Sequence, residues 1–142
     1  MNKPYLCLVF WLFSGLASAN EASEVVTEFY RAMSSGDLVK VNELLSPEIT
    51  IYESGYVERS RAEYAAHHLP EDIAFAKASS RKVTQHTERK DGNFSFILEE
   101  TETKAKIKGK NVTILGTETT VLQKIDEQWR IVHLHWSSRK PK

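Results

Sequence analysis

Hydrophobic residues follow a helical spacing in the first part of the chain and alternate with polar residues in the last part. Residues 22–35 carry apolar side chains three and four positions apart, which predicts an amphipathic helix. These side chains are Val25, Val26, Phe29, Ala32 and Met33. Gly36 is expected to end this helix. Asp37 is expected to cap a second helix, DLVKVNELL, which Ser46-Pro47 stops.

The middle of the chain combines one short strand with two helical segments. The β-branched run ITIY (49–52) predicts a strand, and residues 53–59 are interpreted as a loop. Ser60 and Glu63 form an S-x-x-E capping box, which opens a third helix, SRAEYAAHHL. Because Pro70 fits best in the first turn of a helix, we expect a joint at Leu69 and a further short helix, PEDIAFAKA.

Four stretches of period-two alternation follow from residue 81 onward: RKVTQHTER, FSFILEETETKAKI, NVTILGTETTVLQKI and QWRIVHLHWSS. Their separators, Asp91-Gly92, Lys108-Gly109-Lys110 and Asp126-Glu127, are hairpin signals. The four strands are therefore expected to form an antiparallel meander. Helices first and strands afterwards indicate an α+β fold.

Three stretches carry a resemblance to a known family. The opening VVTEFYRAMSSGDLVKVNELLSPEITIYE has a helix, a G-D step, a second helix and a short strand. The close, ETTVLQKIDEQWRIVHLHWSSR, is a hairpin that leads into W-R-I-x-H-x-H-x-S. Both resemble the nuclear transport factor 2-like superfamily, also called the SnoaL-like or ketosteroid-isomerase-like fold. The middle, AEYAAHHLPEDIAFAKA, resembles a secreted bacterial subgroup without an assigned reaction.

This resemblance implies a cone-shaped, curled antiparallel sheet packed on the N-terminal helices, a cystatin-like roll whose open end leads to a pocket. Members use the pocket for catalysis or for binding alone, and many are homodimers that pair through the sheet. The last strand is also similar to that of the association domain of calcium/calmodulin-dependent protein kinase II. Because one scaffold hosts isomerases, dehydratases, cyclases and non-enzymes, the fold leaves function open.

The N-terminal residues have the pattern of a secretory signal peptide. Lys3 precedes an apolar stretch, residues 5–16, and the small residues Ala17-Ser18-Ala19 follow it. The apolar stretch is well short of the ~20 residues that cross a membrane. We expect residues 1–19 to be a signal peptide cleaved after Ala19 and residues 20–142 to be the SnoaL-like domain. The protein is then periplasmic or secreted, with no membrane contact after cleavage.

Charge and cysteine content argue against several classes of protein. The 19 basic residues balance the 19 acidic ones, so there is no basic excess of the kind that nucleic-acid binding requires. The single cysteine leaves no pair for a disulfide and no Cys-rich metal site. No H-E-x-x-H spacing occurs, and we expect neither a metal nor a cofactor. Alternating lysines over 104–110 are interpreted as a charged hairpin face that protects a protruding edge from aggregation.

The helical segment near residue 68 offers one candidate for proton transfer. His68 and Asp72 are four residues apart and share a helix face, as do Tyr64 and His68. A carboxylate beside His68 would hold the imidazole in one tautomer and raise its basicity, as a general base requires. The structural alternative is an ordinary arrangement at a helix end. His67 points elsewhere, because adjacent residues on a helix are ~100° apart.

The last strand offers a second candidate. Strict alternation places Trp129, Ile131, His133, His135 and Ser137 on one face. Trp136 lies on the other face, and composition does not decide which face is inward. The histidines line the pocket in the functional interpretation and make sheet or subunit contacts in the structural one. Tyr52 and Tyr56 are further pocket candidates, because each carries a hydroxyl group that needs a hydrogen-bond partner.

Three functions remain open from the sequence. The first is an exported protein that binds a small, partly apolar molecule as a homodimer. Its predicted binding residues are Tyr52, Tyr56, Tyr64, His68, His135 and Trp136. The second is an isomerase or lyase, with His68 or His135 as general base and Asp72 or a tyrosine assisting. The third is a dimeric interaction domain, whose sheet face with His133 and His135 binds a protein.

Overall fold

The computed structural model describes residues 21–142, and the predicted signal peptide lies outside them. The described part contains helices α1 (Ala22–Ser35), α2 (Leu38–Leu44), α3 (Arg61–His67) and α4 (Leu69–Lys77). Its strands are β1 (Leu45–Glu53), β2 (Tyr56–Glu58), β3 (Ser79–Asp91), β4 (Phe94–Ile107), β5 (Lys110–Ile125) and β6 (Gln128–Arg139). Among these residues, no helix is long and apolar enough to cross a membrane.

The helix ends follow the capping signals in the sequence. Gly36 closes α1 in the left-handed conformation at φ 77°, and the Asp37 carboxylate accepts the Lys40 N–H at 3.0 Å. The Ser60 hydroxyl accepts the Glu63 N–H at 3.0 Å to open α3. Helix α4 begins at Leu69 with proline in its first turn, which confirms the predicted joint.

The six strands form one sheet in the order β2-β1-β6-β5-β4-β3. Strands β3 to β6 pair antiparallel in sequence order, which confirms the predicted meander. Strand β1 joins this meander by pairing parallel with β6, and β2 pairs antiparallel with β1 at the edge of the sheet. The predicted loop 53–59 contains a tight turn at Ser54 and Gly55, both with positive φ, which returns the chain as β2.

A bulge in β6 changes which side chains face the helices. The register with β5 shifts between Val121 and Leu122, so Val132 is an extra residue in β6. As a result, Ile131 and Leu134 are both fully buried, although strict alternation would place them on opposite faces. The predicted two-face division was therefore wrong across the bulge, because Ile131 shares the inner face with Leu134 and not the outer face with His133.

The hydrophobic core lies between the inner face of the sheet and the helices. Phe29 of α1, Leu122 of β5 and the β6 pair Ile131 and Leu134 are fully buried there. Burying each such side chain contributes about 1.5–3 kcal/mol to folding. This core fills one end of the curled sheet, and the other end stays open between α1, α4 and the strands.

Candidate functional site

A cavity of about 750 Å³ occupies the open end of the curled sheet. Residues from α1, α4, the end of β1 and strands β3 to β6 line it. Its apolar and aromatic lining residues are Tyr30, Met33, Phe75, Ala76, Ile114 and Trp136. Its charged lining residues are Arg31, Glu53, Asp72, Arg81 and Glu118, and several serines and threonines complete the wall. The cavity thus combines apolar and aromatic surface with charged and hydroxyl groups that can orient a ligand.

Trp136 joins the last strand to the first helix across this cavity. The β6 bulge turns Trp136 to the inner face, next to Glu53 on the paired strand β1. The Trp136 indole N–H donates to the Tyr30 hydroxyl at 2.8 Å, and its ring lies 6.3 Å from the Tyr64 ring. The aromatic wall is therefore fixed in orientation by a hydrogen bond as well as by packing.

An ion-pair network forms another part of the cavity wall. The Arg81 guanidinium donates to both oxygens of Glu118, from Nη2 at 2.7 Å and from Nε at 3.2 Å. Arg81 Nη2 also pairs with Glu99, which in turn contacts His86 Nδ1 at 2.9 Å. The Thr101 hydroxyl donates to Glu118 at 3.1 Å. The network links the cavity to His86 at the edge of the sheet.

Tyr30 is the point where the network meets the aromatic wall. Its hydroxyl donates to Glu118 at 2.5 Å, and the Arg81 guanidinium lies 3.7 Å from the centre of its ring. Burial, together with the nearby Glu118 charge, raises the pKa of Tyr30 well above its ordinary value. Although burial acts the other way, hydrogen bonds to Glu118 raise the pKa of Arg81. Tyr30 therefore stays a proton donor, and Arg81 stays charged.

Two further carboxyl groups, Glu53 at the end of β1 and Asp72 of α4, line the cavity. Burial, and to a lesser extent the neighbouring Asp72, raises the pKa of Glu53. Burial also raises the pKa of Asp72, although the Tyr64 hydroxyl donates to it at 2.8 Å and lowers that pKa in part. Both groups therefore take up protons at higher pH than ordinary carboxyl groups. Such groups in a cavity are candidates for hydrogen bonding or proton transfer.

His68 has a different partner from the one expected. The sequence paired His68 with Asp72, but His68 Nδ1 bonds to the buried carboxylate of Glu58, and Asp72 bonds to Tyr64. His68 is the junction residue between α3 and α4, close to the Tyr56 ring at 5.4 Å. Neither His68 nor Tyr56 is among the residues that line the cavity.

One group of potential metal ligands occurs within residues 21–142. Carboxylate oxygens of Glu58 and Glu63 and a ring nitrogen of His67 lie within 4.8 Å of one another. Each has a structural partner, since His67 Nδ1 contacts Glu58 at 3.3 Å and Glu63 accepts the Arg59 N–H at 2.6 Å. These hydrogen bonds explain the cluster without a metal.

Tyr52 and His135 lie on the outer face of the sheet, away from the cavity. The Tyr52 ring packs edge-on against His133 at 5.1 Å and His135 at 5.9 Å. His133 Nδ1 contacts the Thr50 carbonyl oxygen at 2.8 Å. Of the residues predicted from sequence, Asp72 and Trp136 line the cavity, and Tyr64 lies directly behind them.

Sequence reasoning missed Tyr30, Arg81 and Glu118. One signal was available for Glu118, because alternation along β5 places it on the same face of the sheet as the buried Thr120 and Leu122. A carboxylate at an inward position needs a buried partner. Nothing local identifies that partner, since Arg81 lies 37 residues earlier.

Comparison with known proteins agrees with this architecture. A SnoaL-like domain model matches residues 22–140. A candidate ketosteroid isomerase from Shewanella frigidimarina is 34% identical, with a TM-score of 0.79, over 84% of this chain and 98% of that one. No curated protein matches the chain significantly.

Two more distant structures share the fold. The CaMKII hub of S. rosetta is 20% identical, with a TM-score of 0.74, over 86% of this chain and 97% of that one. A nuclear transport factor 2-like protein from Salmonella enterica serovar Typhimurium is 22% identical, with a TM-score of 0.71, over 84% and 89%. The chain belongs to the SnoaL-like family of the nuclear transport factor 2-like superfamily.

Proposed function

We propose that the protein binds a small, partly apolar molecule in the cavity at the open end of the cone. The observation that carries this proposal is a cavity of about 750 Å³ that has both an aromatic wall and fixed polar groups. Its volume lies within the range of about 300–1,000 Å³ that is usual for small-molecule sites. Because the network of Tyr30, Arg81 and Glu118 is bonded internally, the site is formed before a ligand arrives.

The lining indicates the general chemistry of such a ligand. Trp136, Phe75 and Ile114 suit a flat or branched apolar body. The carboxyl groups of Glu53 and Asp72 suit hydroxyl or other hydrogen-bond donors on one side of it. Serine hydroxyls near the mouth of the cavity suit a polar end, and they are Ser79, Ser80, Ser137 and Ser138.

Fluorescence of Trp136 tests the proposal directly. In a Trp129→Phe background, Trp136 is the one tryptophan left in residues 21–142, so its emission reports on the cavity. We expect small amphiphiles to shift that emission saturably, and Ala76→Phe, which places a bulky side chain in the cavity without adding a tryptophan, to weaken binding. Equal binding by this variant would place the ligand elsewhere.

An enzyme of the isomerase or lyase kind is the second candidate. The observation that favours it is the pair of half-buried carboxyl groups, Glu53 and Asp72, whose pKa values are both raised by burial. The cavity lining contains no histidine among residues 21–142, so these carboxyl groups replace His68 and His135 as candidates for the proton-transfer role. The similarity to a candidate ketosteroid isomerase supports trying a carbonyl substrate.

A β,γ-unsaturated ketosteroid is the probe for this second candidate, because its conjugated product absorbs in the ultraviolet. We expect kcat to fall at least ~100-fold in Asp72→Asn, with KM little changed. Asp126→Asn, in the exposed β5–β6 turn, is the matched control. No turnover by the wild-type protein would remove this reaction while leaving ligand binding intact.

Homodimer formation is a further proposal, and it rests on the outer sheet face. Phe96, Leu98 and Tyr52 are each about two-fifths exposed there. Across the paired strands, Phe96 lies opposite Val121 and Leu98 lies opposite Thr119. Val121 and Thr119 in turn lie opposite His133 and His135 of β6. Light scattering should give a dimer for the wild-type protein and a monomer for Leu98→Glu. Lys82→Glu, on the edge strand, should leave the dimer intact.

Export is also a proposal, based on the N-terminal pattern of residues 1–19. The mass of the protein isolated from its own cells tests it. A chain that begins at Asn20 is expected, and an intact N-terminus would contradict cleavage.

A further inference from the structure

The hairpin between β4 and β5 extends beyond the rest of the sheet. Pairing with β3 ends at Ala105, and pairing with β6 ends at Leu115. Residues 106–114 therefore have each other as partners and no strand on either side. The five residues of β5 before Leu115 extend about 17 Å, at 3.4 Å per residue. The turn at Lys108 and Gly109 has positive φ at both positions, as tight two-residue hairpins do.

Five lysines surround the end of this hairpin, and together with Ile107 they are called the basic tip. The lysines are Lys104, Lys106, Lys108, Lys110 and Lys140. Lys104 pairs with Glu102 at 3.4 Å, and the other four make no ion pair within residues 21–142. A chain with balanced total charge thus carries a concentrated positive region at one end.

An apolar strip lies on the inner face of the hairpin, and Lys104 and Lys106 lie on the opposite face. Ile107 is 43% exposed at the end of the hairpin. Together with Val112 and Ile114 it forms a shallow depression of about 280 Å³, bordered by Lys108, Lys110 and Lys140. Ile114 also lines the main cavity, so the strip leads from the tip toward the mouth of the cone.

From this arrangement we infer that the basic tip docks on the surface of a membrane rich in anionic phospholipids. The lysine side chains meet the phosphate headgroups, while Ile107 enters the boundary between headgroups and acyl chains. Lysines suit this position because their long apolar stems lie along the interface and their ammonium groups stay in water. The exposed isoleucine favours lipid over nucleic acid, whose phosphate backbone offers no apolar site for it.

This inference goes beyond the proposed ligand binding and does not depend on it. It also departs from the expectation of no membrane contact after signal cleavage. The linear sequence shows four alternating lysines, but the structure adds Lys140 from the C-terminal end and shows that the hairpin stands clear of the sheet.

Co-sedimentation with lipid vesicles tests this inference, using the protein purified from its own cells. We expect binding to vesicles of phosphatidylcholine and phosphatidylglycerol at 3:1, weakening with salt, and no measurable binding to phosphatidylcholine alone. Lys106→Glu with Lys108→Glu should lower the partition coefficient roughly tenfold or more. The control is the double variant Lys82→Glu with Arg89→Glu on the exposed strand β3, which changes the total charge by the same amount as the tip variant. This control should lower the partition coefficient by less than about threefold.

Ile107→Ser separates lipid docking from general attraction to polyanions. It should weaken vesicle binding several-fold and leave any binding to heparin or duplex DNA unchanged. An equal loss in the β3 control, equal binding to neutral vesicles, or no effect of Ile107→Ser would overturn the inference. Because all variants share one N-terminus, that region cannot produce the differences between them.

Discussion

The indole N–H of Trp136 donates to the hydroxyl of Tyr30 at 2.8 Å, and this bond connects β6 to α1 across the cavity. The same Tyr30 hydroxyl donates onward to Glu118 at 2.5 Å. One aromatic residue thus ties the apolar wall of the cavity to its ion-pair network.

Trp136→Phe should remove the hydrogen bond to Tyr30 while keeping an aromatic ring at this position. We expect the free energy of unfolding to fall by about 1–2 kcal/mol, since one buried hydrogen bond and some contact area are lost. Urea unfolding followed by circular dichroism measures this change. Because Tyr30 keeps its bond to Glu118, the double variant with Tyr30→Phe should show non-additive losses. Strict additivity would mean that the two residues act independently.

Glu118→Gln should destabilise the protein more than an ordinary surface substitution does. It leaves the partly buried Arg81 with half of its counter-charge, which predicts a loss of about 2–3 kcal/mol. Glu102→Gln is the matched control, because Glu102 is more exposed and pairs with Lys104 at the surface. The control should change the unfolding free energy by less than about 0.5 kcal/mol. Similar values for both variants would contradict the structural role of the network.

Gly116→Ala should disturb the same network without changing any charge. A Cβ atom at this position would meet the Thr101 hydroxyl, which donates to Glu118. The backbone of Gly116 is ordinary extended strand, so crowding alone accounts for the effect, and a loss of about 1–3 kcal/mol is expected. Urea unfolding measures this loss, and Thr117→Ala, one residue further on the outer face, should be nearly neutral in the same assay. A neutral Gly116→Ala would show that Thr101 can move freely.

The raised pKa values of Glu53 and Asp72 predict a definite pH dependence of stability. In the folded protein each group holds its proton to a higher pH than it does in the unfolded chain. Their contribution to the free energy of unfolding is therefore greatest below the ordinary carboxyl range and is lost as pH rises through the raised pKa values. Above those values, the two buried charges lower stability by a constant amount.

Comparison of the wild-type protein with Glu53→Gln plus Asp72→Asn isolates this contribution. The stability of the wild-type protein relative to the variant should fall as pH rises above the ordinary carboxyl pKa of about 4, and should stay level once both groups have ionised. Urea denaturation at one-unit pH steps measures the difference. A relative stability that rises with pH would mean that the two pKa values are lowered, contrary to the burial of both groups.

Local patterns predicted most of the secondary structure, because the relevant signals lie within a few residues. Gly36, Asp37 and Ser60 cap helices as expected, but the Glu63 carboxylate accepts the Arg59 N–H and does not complete the predicted box with Ser60. The parallel pairing of β1 with β6 was not predictable in this way, since it joins segments about 80 residues apart. The bulge at Val132 depends on how β6 fits β5 and the core, and it alters the face of every later residue in the strand.

The candidate site was predictable only in part, for the same reason. Trp136 and Asp72 reach the cavity, but the bulge and the sheet position of β1 carry His135 and Tyr52 to the opposite face. Arg81 and Glu118 meet through strand pairing across β4, which no local pattern encodes. Residue type indicated which side chains have useful chemistry, and tertiary contacts decided which of them meet.

Native mass spectrometry of the protein purified from its own cells shows whether a small molecule occupies the cavity. The wild-type protein should retain a small molecule. That molecule should be lost in Ala76→Trp, which places a bulky side chain in the cavity, and kept in Gln85→Trp on the exposed strand β3. A ligand-free wild-type protein, or the same bound mass in Ala76→Trp, would contradict ligand binding in the cavity.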